Sequence, residues 1–504
     1  MSRTSAGVAR RRALVVALLG AALGCVLLAT VLLDLSGGPS GPPSGAAGAV
    51  PADAYAYLHI STDRSRPQVR QALAQLERLP VQPALLTTLR SGLTLASPWL
   101  GKEAGFAVLP EGTLTVLDVR DRPAARRSIA LLPAGTTLAF VRHYAVLGAP
   151  AAVDAAVTAA ARGNTLISTN AYRRASGGGP ADRVADAYIS AAGIPRLLRA
   201  HTGLPAVVGT LLAQPTLLGA TATLSPAPGG LRIHLHAALD TRISGLSGVS
   251  GRPFTPTLQR VIPTGATLML DQRGLDRKAT RLLVAAGAGG VGTSIRPLLS
   301  RFGAALGAEG VNVPGILQVF HGESAIALVP TSTGADPSLL VVARVSDEAS
   351  ARQQFASVES PLAQLFSGTA AGAGQTPVLG DVAVGADAIH ELALAPGFTL
   401  DYSVAHGLVI VSTSRAPVAA VLRHAAAMAG DSRYRAVLPI GPNGVSSLVF
   451  LDFNQLLNLV GQTGLTRGAR FGALRPDLQG IRSIGIRSTS GEADSTAELF
   501  LKFS

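Results

Sequence analysis

A glycine-rich stretch offers the first candidate for chemistry: residues 287–292 read GAGGVG and satisfy the pattern G-x-G-x-x-G. Such a turn binds a dinucleotide when it follows a strand directly and opens a helix, because the helix N-terminus then meets the pyrophosphate. Here residues 277–286 carry a helical pattern that leads into the glycines. The stretch is therefore predicted to connect two helices, and a nucleotide site is not expected.

Two histidines, His234 and His236, stand two positions apart in a predicted strand over residues 231–239. Alternate residues of a strand point to one face, so the pair could begin a metal site. The corresponding strand in the second half of the chain, residues 497–503, reads AELFLKF and has no histidine. The pair is predicted to be a solvent-facing feature of the strand.

Glu103 and Glu323 occupy matching positions in two similar stretches, EAGFAVLP and ESAIALVP. Paired carboxylates can perform acid–base catalysis when they face each other across a cleft. Matching positions equally suit two equivalent structural roles, a helix cap or a salt bridge, and this interpretation is favoured. His321 lies beside Glu323, but its counterpart near Glu103 is Gly101.

The sequence also gives no support for a serine nucleophile. The stretch around Ser324 reads GESAI and lacks the last glycine of the G-x-S-x-G turn. A triad dispersed along the chain stays open, because triads are defined by geometry. The sequence therefore assigns no catalytic, cofactor-binding or metal-binding residue.

The strongest signal is an uncharged run of 21 residues, 13–33, which reads ALVVALLGAALGCVLLATVLL. At ~1.5 Å per residue a helix of this length spans roughly 30 Å, the thickness of the hydrocarbon core of a bilayer. Arg10, Arg11 and Arg12 precede it directly. This asymmetry predicts a cytoplasmic N-terminus and a C-terminal part outside the cytoplasm.

Two processed forms compete with a retained span. A cleaved signal usually has an apolar core of only about 7–15 residues, and Ala46 to Ala49 is the clearest cleavage site here. A lipoprotein would be modified at Cys25, the only cysteine, but the apolar run continues directly after it. Retention is favoured, with Cys25 as a small apolar residue of the helix.

Composition places the rest of the chain among folded proteins. Hydrophobic residues make up 48% and charged residues 14%, so a large core is expected. Four positive charges of the net +13 precede the apolar run, which leaves +9 for the remainder. Such a domain could adhere weakly to an anionic leaflet or wall polymer. Nucleic-acid binding is not expected, because the charges are scattered and no basic run carries aromatic residues.

Composition shifts divide the chain. A stretch rich in Gly, Pro and Ser follows the apolar run, and another lies near the middle of the chain. The predicted segments are a basic N-terminus (1–12), a transmembrane helix (13–33), a tether (34–49), a first lobe (50–240), a linker (241–256) and a second lobe (257–504).

The order of elements in the first lobe repeats in the second. PTGATLMLD from Pro263 resembles PADAYAYLH from Pro51, and two closing strands end each half. Hairpins dominate the pattern in both halves, and strand–helix–strand units are mixed in irregularly. We therefore predict an α+β fold in which two similar lobes of largely antiparallel sheet with packed helices follow the transmembrane helix.

Several short motifs resemble the domain of unknown function 3352 family. The motifs are PADAYAY (51–57), LGKE (100–103), GLVIVST (407–413) before Pro417, and Ser432-Arg433-Tyr434. The resemblance covers most of residues 50–504. It implies a membrane-anchored bacterial protein outside the cytoplasm and supplies no reaction, cofactor or site residue.

Together these observations lead to one expectation about function. The chain is expected to be a single-pass membrane protein that acts as a non-enzymatic binding or scaffold module of the cell envelope. A groove between two lobes would suit a lipid, a wall polymer or an envelope protein. The alternative is an envelope hydrolase whose active site is dispersed in sequence.

Overall fold

The computed structural model divides into two compact units. The first comprises residues 1–250, 468–481 and 488–504, and the second comprises residues 251–467 and 482–487. The structure describes residues 45–76, 98–127, 135–177, 179–199, 216–240, 253–275, 316, 318–330, 337–365, 379–395, 398–442, 444–462, 479–490 and 494–503.

The first unit is built on an antiparallel sheet. Its strands pair in the spatial order β4-β5-β3-β2-β1-β6-β7-β8-β18. The strands are β1 (Ala56–Ser61), β2 (Leu100–Leu109), β3 (Gly112–Val119), β4 (Thr137–Val141), β5 (Tyr144–Gly148), β6 (Ala185–Ser190), β7 (Leu217–Ala227), β8 (Gly230–Leu239) and β18 (Asp494–Phe503).

The second unit also contains an antiparallel sheet, in the order β16-β9-β10-β11-β15-β14-β13-β12. Its strands are β9 (Leu268–Arg273), β10 (Glu323–Val329), β11 (Ser338–Arg344), β12 (Leu379–Val384), β13 (Asp387–Ala395), β14 (Phe398–Ala405), β15 (Leu408–Ser412) and β16 (Ser447–Asp452). The residues of β17 (Ile481–Ser490) are shared between the two units.

Helices accompany both sheets. The α-helices are α1 (Pro67–Leu76), α2 (Arg122–Arg127), α3 (Pro150–Arg162), α4 (Asn170–Ser176), α5 (Glu348–Leu365), α6 (Arg415–Leu422), α7 (Ser432–Arg435) and α8 (Phe453–Gln462). Short 3₁₀ helices lie at Gly45–Ala49, Leu166–Ser168, Leu258–Arg260 and Met428–Gly430, and a π-helical turn at Pro195–Arg199. Helices beside antiparallel sheets confirm the α+β fold class.

Local sequence explains the bounds of α3. Pro150 opens the helix at a position where the missing N–H costs nothing, and Gly163 ends it with φ 69°. The N–H of Gly163 reaches the last carbonyls of the helix. A left-handed residue of this kind is inexpensive only for glycine, so the helix ends at this residue.

Three tyrosines organise the core of the first unit in a chain poor in aromatic residues. The ring of Tyr172 lies 6.2 Å from that of Tyr57 and 5.2 Å from that of Tyr188, edge to face in both pairs. All three are almost fully buried. They join β1 and β6 of the sheet to α4. Because α4 is short, this aromatic packing, rather than the helix itself, holds it in place.

In the second unit, the corresponding centre is β16. All six of its residues are buried, as expected for a strand that is covered on both faces. Phe450 of β16 lies 5.6 Å from Tyr434 of α7, ring centre to ring centre. An aromatic residue of a helix and one of a buried strand therefore meet here, as they do in the first unit.

The two units share a pattern of pairing and register. β1 pairs with β2 and β6, and β9 pairs with β10 and β16. Ser61 stands opposite Glu103, and Arg273 stands opposite Glu323. The turn residues after β4 and β14, Arg142 and His406, both have positive φ, 53° and 56°. The hairpin β12–β13 is an addition in the second unit.

The first correction concerns the predicted tether. Residues 45–49 of the range 34–49 form a 3₁₀ helix whose last four residues are buried in the first unit. Small Ala and Gly side chains, which suggested a linker, instead allow close packing. Among the described helices, none has the length and apolar content to cross a bilayer. The predicted span 13–33 and the glycine-rich stretch 287–292 lie outside the described residues.

A second correction concerns the boundary of the lobes. The C-terminal strand β18 was assigned with residues 257–504, but it pairs with β8 over nine residue pairs and belongs to the first unit. The division near residue 250 falls within the predicted linker 241–256. Sequence order alone could not place β18, because a long-range strand pair leaves no local signal.

The pairing of β8 with β18 can be tested at Gly230. A Cβ at this position would lie 1.9 Å from the carbonyl oxygen of Leu501. The Gly230→Ala substitution is expected to lower the free energy of unfolding by about 1–3 kcal/mol, because one strand must shift. Hydrogen exchange of β8 and β18 amides should accelerate.

Gly380→Ala is the matched control, since a Cβ there meets nothing within 4 Å. It is expected to change stability by less than about 0.5 kcal/mol. Equal effects of the two substitutions would contradict the register.

Candidate functional site

Three neighbouring strands of the first unit bring together an Asp–His–Glu cluster. His59 of β1 stands opposite Asp186 of β6, and Glu103 lies at the start of the paired segment of β2. His59 Nδ1 lies 2.9 Å from Asp186 Oδ1, and His59 Nε2 lies 3.1 Å from Glu103 Oε2. The exposed fractions of the side chains are 12% for His59 and 7% for Asp186, so the contacts are largely shielded from water.

The carboxylates determine the charge of His59. Burial alone would lower its pKa, but the hydrogen bonds with Asp186 and Glu103 and their negative charges raise the pKa to about 9. Burial would raise the pKa of Glu103, but its contacts with His59 and Tyr144 lower it instead. An imidazolium that donates from both nitrogens cannot accept a proton at neutral pH. The geometry therefore fixes a cation between two anions and gives no general base.

Further contacts connect this cluster to the surrounding segments. The hydroxyl of Tyr144 donates to Glu103 Oε1, and the backbone N–H of Ala46 donates to the same carboxylate. Arg183 Nε lies 3.1 Å from Asp186 Oδ1. Glu103 thus joins β2 to β5 and to the 3₁₀ helix 45–49.

Two hydrogen-bond donors beside this cluster are not used by the described residues. The hydroxyl of Tyr172 and Nη1 of Arg183 are buried and have no hydrogen-bond partner among the described residues. Buried polar groups of this kind are normally satisfied by water or a ligand. The first unit therefore offers donors, rather than a base or a nucleophile, at this point.

The second unit has Glu323 in the place of Glu103. Its carboxylate accepts hydrogen bonds from the backbone N–H groups of Thr257 and Leu258, the latter at 2.8 Å. Thr257 Oγ1 donates to Glu323 Oε2 at 2.6 Å, and Arg344 Nε lies 3.3 Å from the same oxygen. Glu323 therefore caps the 3₁₀ helix that begins at Leu258, which is one of the structural roles expected for it.

The residue that matches His59 is Asp271. It stands opposite Ala325, as His59 stands opposite Gly105. Burial, with Glu323 beside it, raises the pKa of Asp271 well above its usual value. No donor among the described residues reaches either of its oxygens. Burial beside the negative charge of Glu323 therefore favours the protonated form of Asp271.

The predicted histidine pair has a different environment from the one expected. His236 is 5% exposed and its Nδ1 lies 2.6 Å from the carbonyl oxygen of Ala175 in α4, while His234 is half-buried. The prediction that the pair faces solvent is wrong, because α4 covers this face of β8. In the part of the chain that the structure describes, no group of three or more His, Cys, Asp or Glu could hold a metal ion.

Three further polar residues that could take part in chemistry lie in the second unit: Asp452, Ser324 and His321. Asp452 Oδ2 accepts from Arg433 at 2.5 Å, and its Oδ1 accepts from the N–H of Gln455 at the start of α8. Ser324 is fully buried, and His321 is exposed. These residues belong to the second unit, whereas Glu103 belongs to the first.

Sequence reasoning missed His59, Asp186 and Asp271. His59 and Asp186 are single ionisable residues in their strands, AYLHIS and ADAYIS, and Asp271 follows the apolar run LML of β9. A charged residue at a predicted core position was the available signal, because burial requires a partner. The partner itself could not be inferred, since Asp186 is 127 residues away.

Comparison with known proteins identifies a family. A family model described as Protein of unknown function (DUF3352) matches residues 136–503. This confirms the resemblance derived from the sequence motifs. No curated protein matches the chain.

Solved structures give only weak similarity. Crystal form I of TP0453 is 11% identical with a TM-score of 0.24, over 39% of this chain and 79% of that chain. Crystal form III of TP0453 is 9% identical with a TM-score of 0.23, over 41% of this chain and 84% of that chain.

Removal of the buried cation tests the Asp–His–Glu cluster. His59→Gln is expected to lower the free energy of unfolding at pH 7 by about 3 kcal/mol, because the two carboxylates then lose the cation between them. The folded-state pKa of His59 is raised to about 9. Its stabilisation is therefore complete below the unfolded pKa of about 6.5 and is lost as the pH rises through about 9.

Denaturant titrations across this pH range measure both effects. His390→Gln is the control, since His390 Nδ1 lies 2.8 Å from Asp381 but the Asp381 side chain is 65% exposed. A loss below about 1 kcal/mol is expected there. If His59→Gln behaves like the control, the cluster is not a buried ion pair.

The raised pKa of Asp271 predicts a pH response in the same direction in the second unit. Because its folded-state pKa is raised, Asp271 stabilises the fold below its unfolded pKa of about 3.9, and this contribution is lost as pH rises. Asp271→Asn keeps a donor towards Glu323 and should be more stable than the wild type at pH 8. The wild-type curve should fall by up to about 1.4 kcal/mol per pH unit relative to the variant.

Asp452→Asn provides the contrast, because Asp452 Oδ2 lies 2.5 Å from Nη1 of Arg433. A loss of about 1.5–3 kcal/mol is expected. Destabilisation by both substitutions at pH 8 would show that Asp271 is ionised.

Proposed function

We propose a role for this chain from the premise that it belongs to the family described as Protein of unknown function (DUF3352). The chain is a single-pass membrane protein whose C-terminal part lies outside the cytoplasm of a bacterium. There it acts as a non-enzymatic binding or scaffold module of the cell envelope. Its ligand is a lipid, a wall polymer or another envelope protein.

One observation carries the membrane anchor. Residues 13–33 contain no charge, are long enough to cross the hydrocarbon core, and follow three consecutive arginines. Positive residues favour the cytoplasmic side, so the two units follow on the opposite side. The single Cys25 lies within this run, so an ectodomain of this kind folds without internal disulfides.

The use of polar side chains supports binding rather than catalysis. Glu103 and Glu323 accept backbone N–H groups of 3₁₀ helices, and Asp452 accepts from Arg433 and from the start of α8. These carboxylates are engaged in holding secondary structure together. A catalytic role would require at least one of them to exchange those donors for a substrate.

We also propose that the two units arose by duplication of one ancestral unit. The pairing of β1 with β2 and β6 recurs in β9 with β10 and β16, in the same register. The bridge between Pro51 and Thr165 recurs between Pro263 and Ala427. Exchange of His59 for Asp271 at equivalent positions allowed the two units to diverge in charge.

A fractionation experiment tests the anchor. The full chain, expressed in a bacterial host, should stay with membranes after an alkaline carbonate wash, and added protease should reach its C-terminal part from outside the cytoplasm. Leu23→Arg with Val26→Arg should release it, because each arginine costs about 2.5–3.5 kcal/mol at the centre of a span. Leu35→Arg, just beyond the run, is the matched control.

Other outcomes would contradict the proposal. A soluble exported protein that has lost its first residues indicates a cleaved signal, and a lipid on Cys25 indicates a lipoprotein. The hydrolase alternative predicts that the purified full chain turns over esters, glycosides or peptides. Turnover that a single substitution abolishes would replace the binding role by catalysis.

A further inference from the structure

The surface of the first unit carries a group of five exposed arginines. We call it the arginine patch, and it lies around α2 and the turn between β4 and β5. Its members are Arg120, Arg122, Arg126, Arg127 and Arg142.

The geometry of the patch concentrates positive charge. The guanidinium carbons of Arg122 and Arg126 lie 5.4 and 5.6 Å from the centre of the Phe140 ring. Arg122 also donates a hydrogen bond to the carbonyl oxygen of Arg142. One aromatic ring therefore holds two cations, and the backbone holds a third arginine beside them.

The arginines of the patch have no carboxylate as an ion-pair partner in the described part of the chain. No ion pair joins any of the five arginines to an Asp or Glu of the described part of the chain. Asp121, the nearest acidic residue in sequence, caps α2 by accepting the N–H of Ala124 at 3.0 Å. The patch thus presents several guanidinium forks that suit the oxygens of a phosphate.

The patch also borders the first element after the tether. Nη1 of Arg142 lies 3.9 Å from the position of a Cβ on Gly48, in the 3₁₀ helix 45–49. Only 11 residues, 34–44, separate that helix from the apolar run. Fully extended, they reach about 36–40 Å, and a flexible chain of this composition spans about 17–20 Å on average.

We propose that the arginine patch docks the first unit on anionic phospholipid headgroups of the membrane that holds this same chain. The inference rests on the proposed anchor at residues 13–33. The short tether keeps the patch near the bilayer, where an anionic surface favours each arginine by roughly fivefold in affinity. Since this attraction decays over about 10 Å in ordinary salt, docking requires the patch itself to face the headgroups.

The backbone at Arg142 provides a substitution that leaves the fold intact. Its φ of 53° lies in the left-handed region, which glycine adopts at lower cost than arginine. Arg142→Gly removes one guanidinium and keeps the carbonyl that Arg122 uses. Weaker docking by this variant therefore cannot result from a destabilised turn.

Arginine reactivity in nanodiscs tests the proposal. The full chain is inserted in discs of phosphatidylcholine, with or without phosphatidylglycerol, and the modification of each arginine by phenylglyoxal is followed by mass spectrometry. Arg122, Arg126 and Arg127 should react about fivefold more slowly in anionic discs, and added salt should abolish the difference. Arg423, exposed in the second unit, should react equally in both.

Variants then separate docking from general protection. Arg142→Gly and Arg127→Gln should each restore part of the reactivity of Arg122 and Arg126 in anionic discs. Arg162→Gln, at the exposed end of α3, should leave it unchanged. Equal reactivity of the patch in both kinds of disc, or protection that these variants do not alter, would overturn the proposal. A chain that does not enter discs at all would overturn the proposed anchor instead.

Discussion

The carboxylate of Glu103 needs hydrogen-bond donors because it is largely shielded from water, with 19% of its side chain exposed, and separate segments supply them. Ala46 donates from the 3₁₀ helix 45–49, His59 from β1 and Tyr144 from β5. These donors are distant in sequence, so the carboxylate is satisfied only when the segments have assembled. An unmatched carboxylate would cost more than most single packing contacts in the unit supply. The position of the 3₁₀ helix and the register of β2 therefore depend on one another.

The second unit meets the same constraint with different chemistry. Glu323 takes its donors from Thr257, Leu258 and Arg344, so its charge is compensated without a histidine. The residue equivalent to His59 is an acid, Asp271, and its pKa is raised by burial and by the negative charge of Glu323 beside it. The backbone register is the same in both units, and in both the pKa of the central residue is raised. The protonated form that this favours is a cation in His59 and an uncharged acid in Asp271. A shared fold thus constrains where a polar residue can be buried, but not which charge it carries.

Local physics explains which features the sequence predicts. The hairpin of β2 and β3 follows from Pro110, Glu111 and Gly112 between two apolar runs, and α3 follows from Pro150 and Gly163. Features that depend on long-range pairing could not be predicted in this way. The burial of His236 depends on Ala175 of α4, and β18 joins the first unit through β8. The chain from 45 to 49 has the composition of a linker and becomes ordered only through its contacts with the sheet.

Arginine occurs in two kinds of environment in this chain, one structural and one at the surface. A coding preference for arginine would place the residue without regard to its partners, so its abundance alone does not indicate a binding site. Arg183 and Arg433 are each held by aspartates, and these contacts stabilise β6 and α7 from within. In the arginine patch, Arg122 and Arg126 instead lie over Phe140 and keep their charge towards solvent. Mutual repulsion makes such a group unfavourable for the isolated fold, and an anionic surface would convert that cost into affinity.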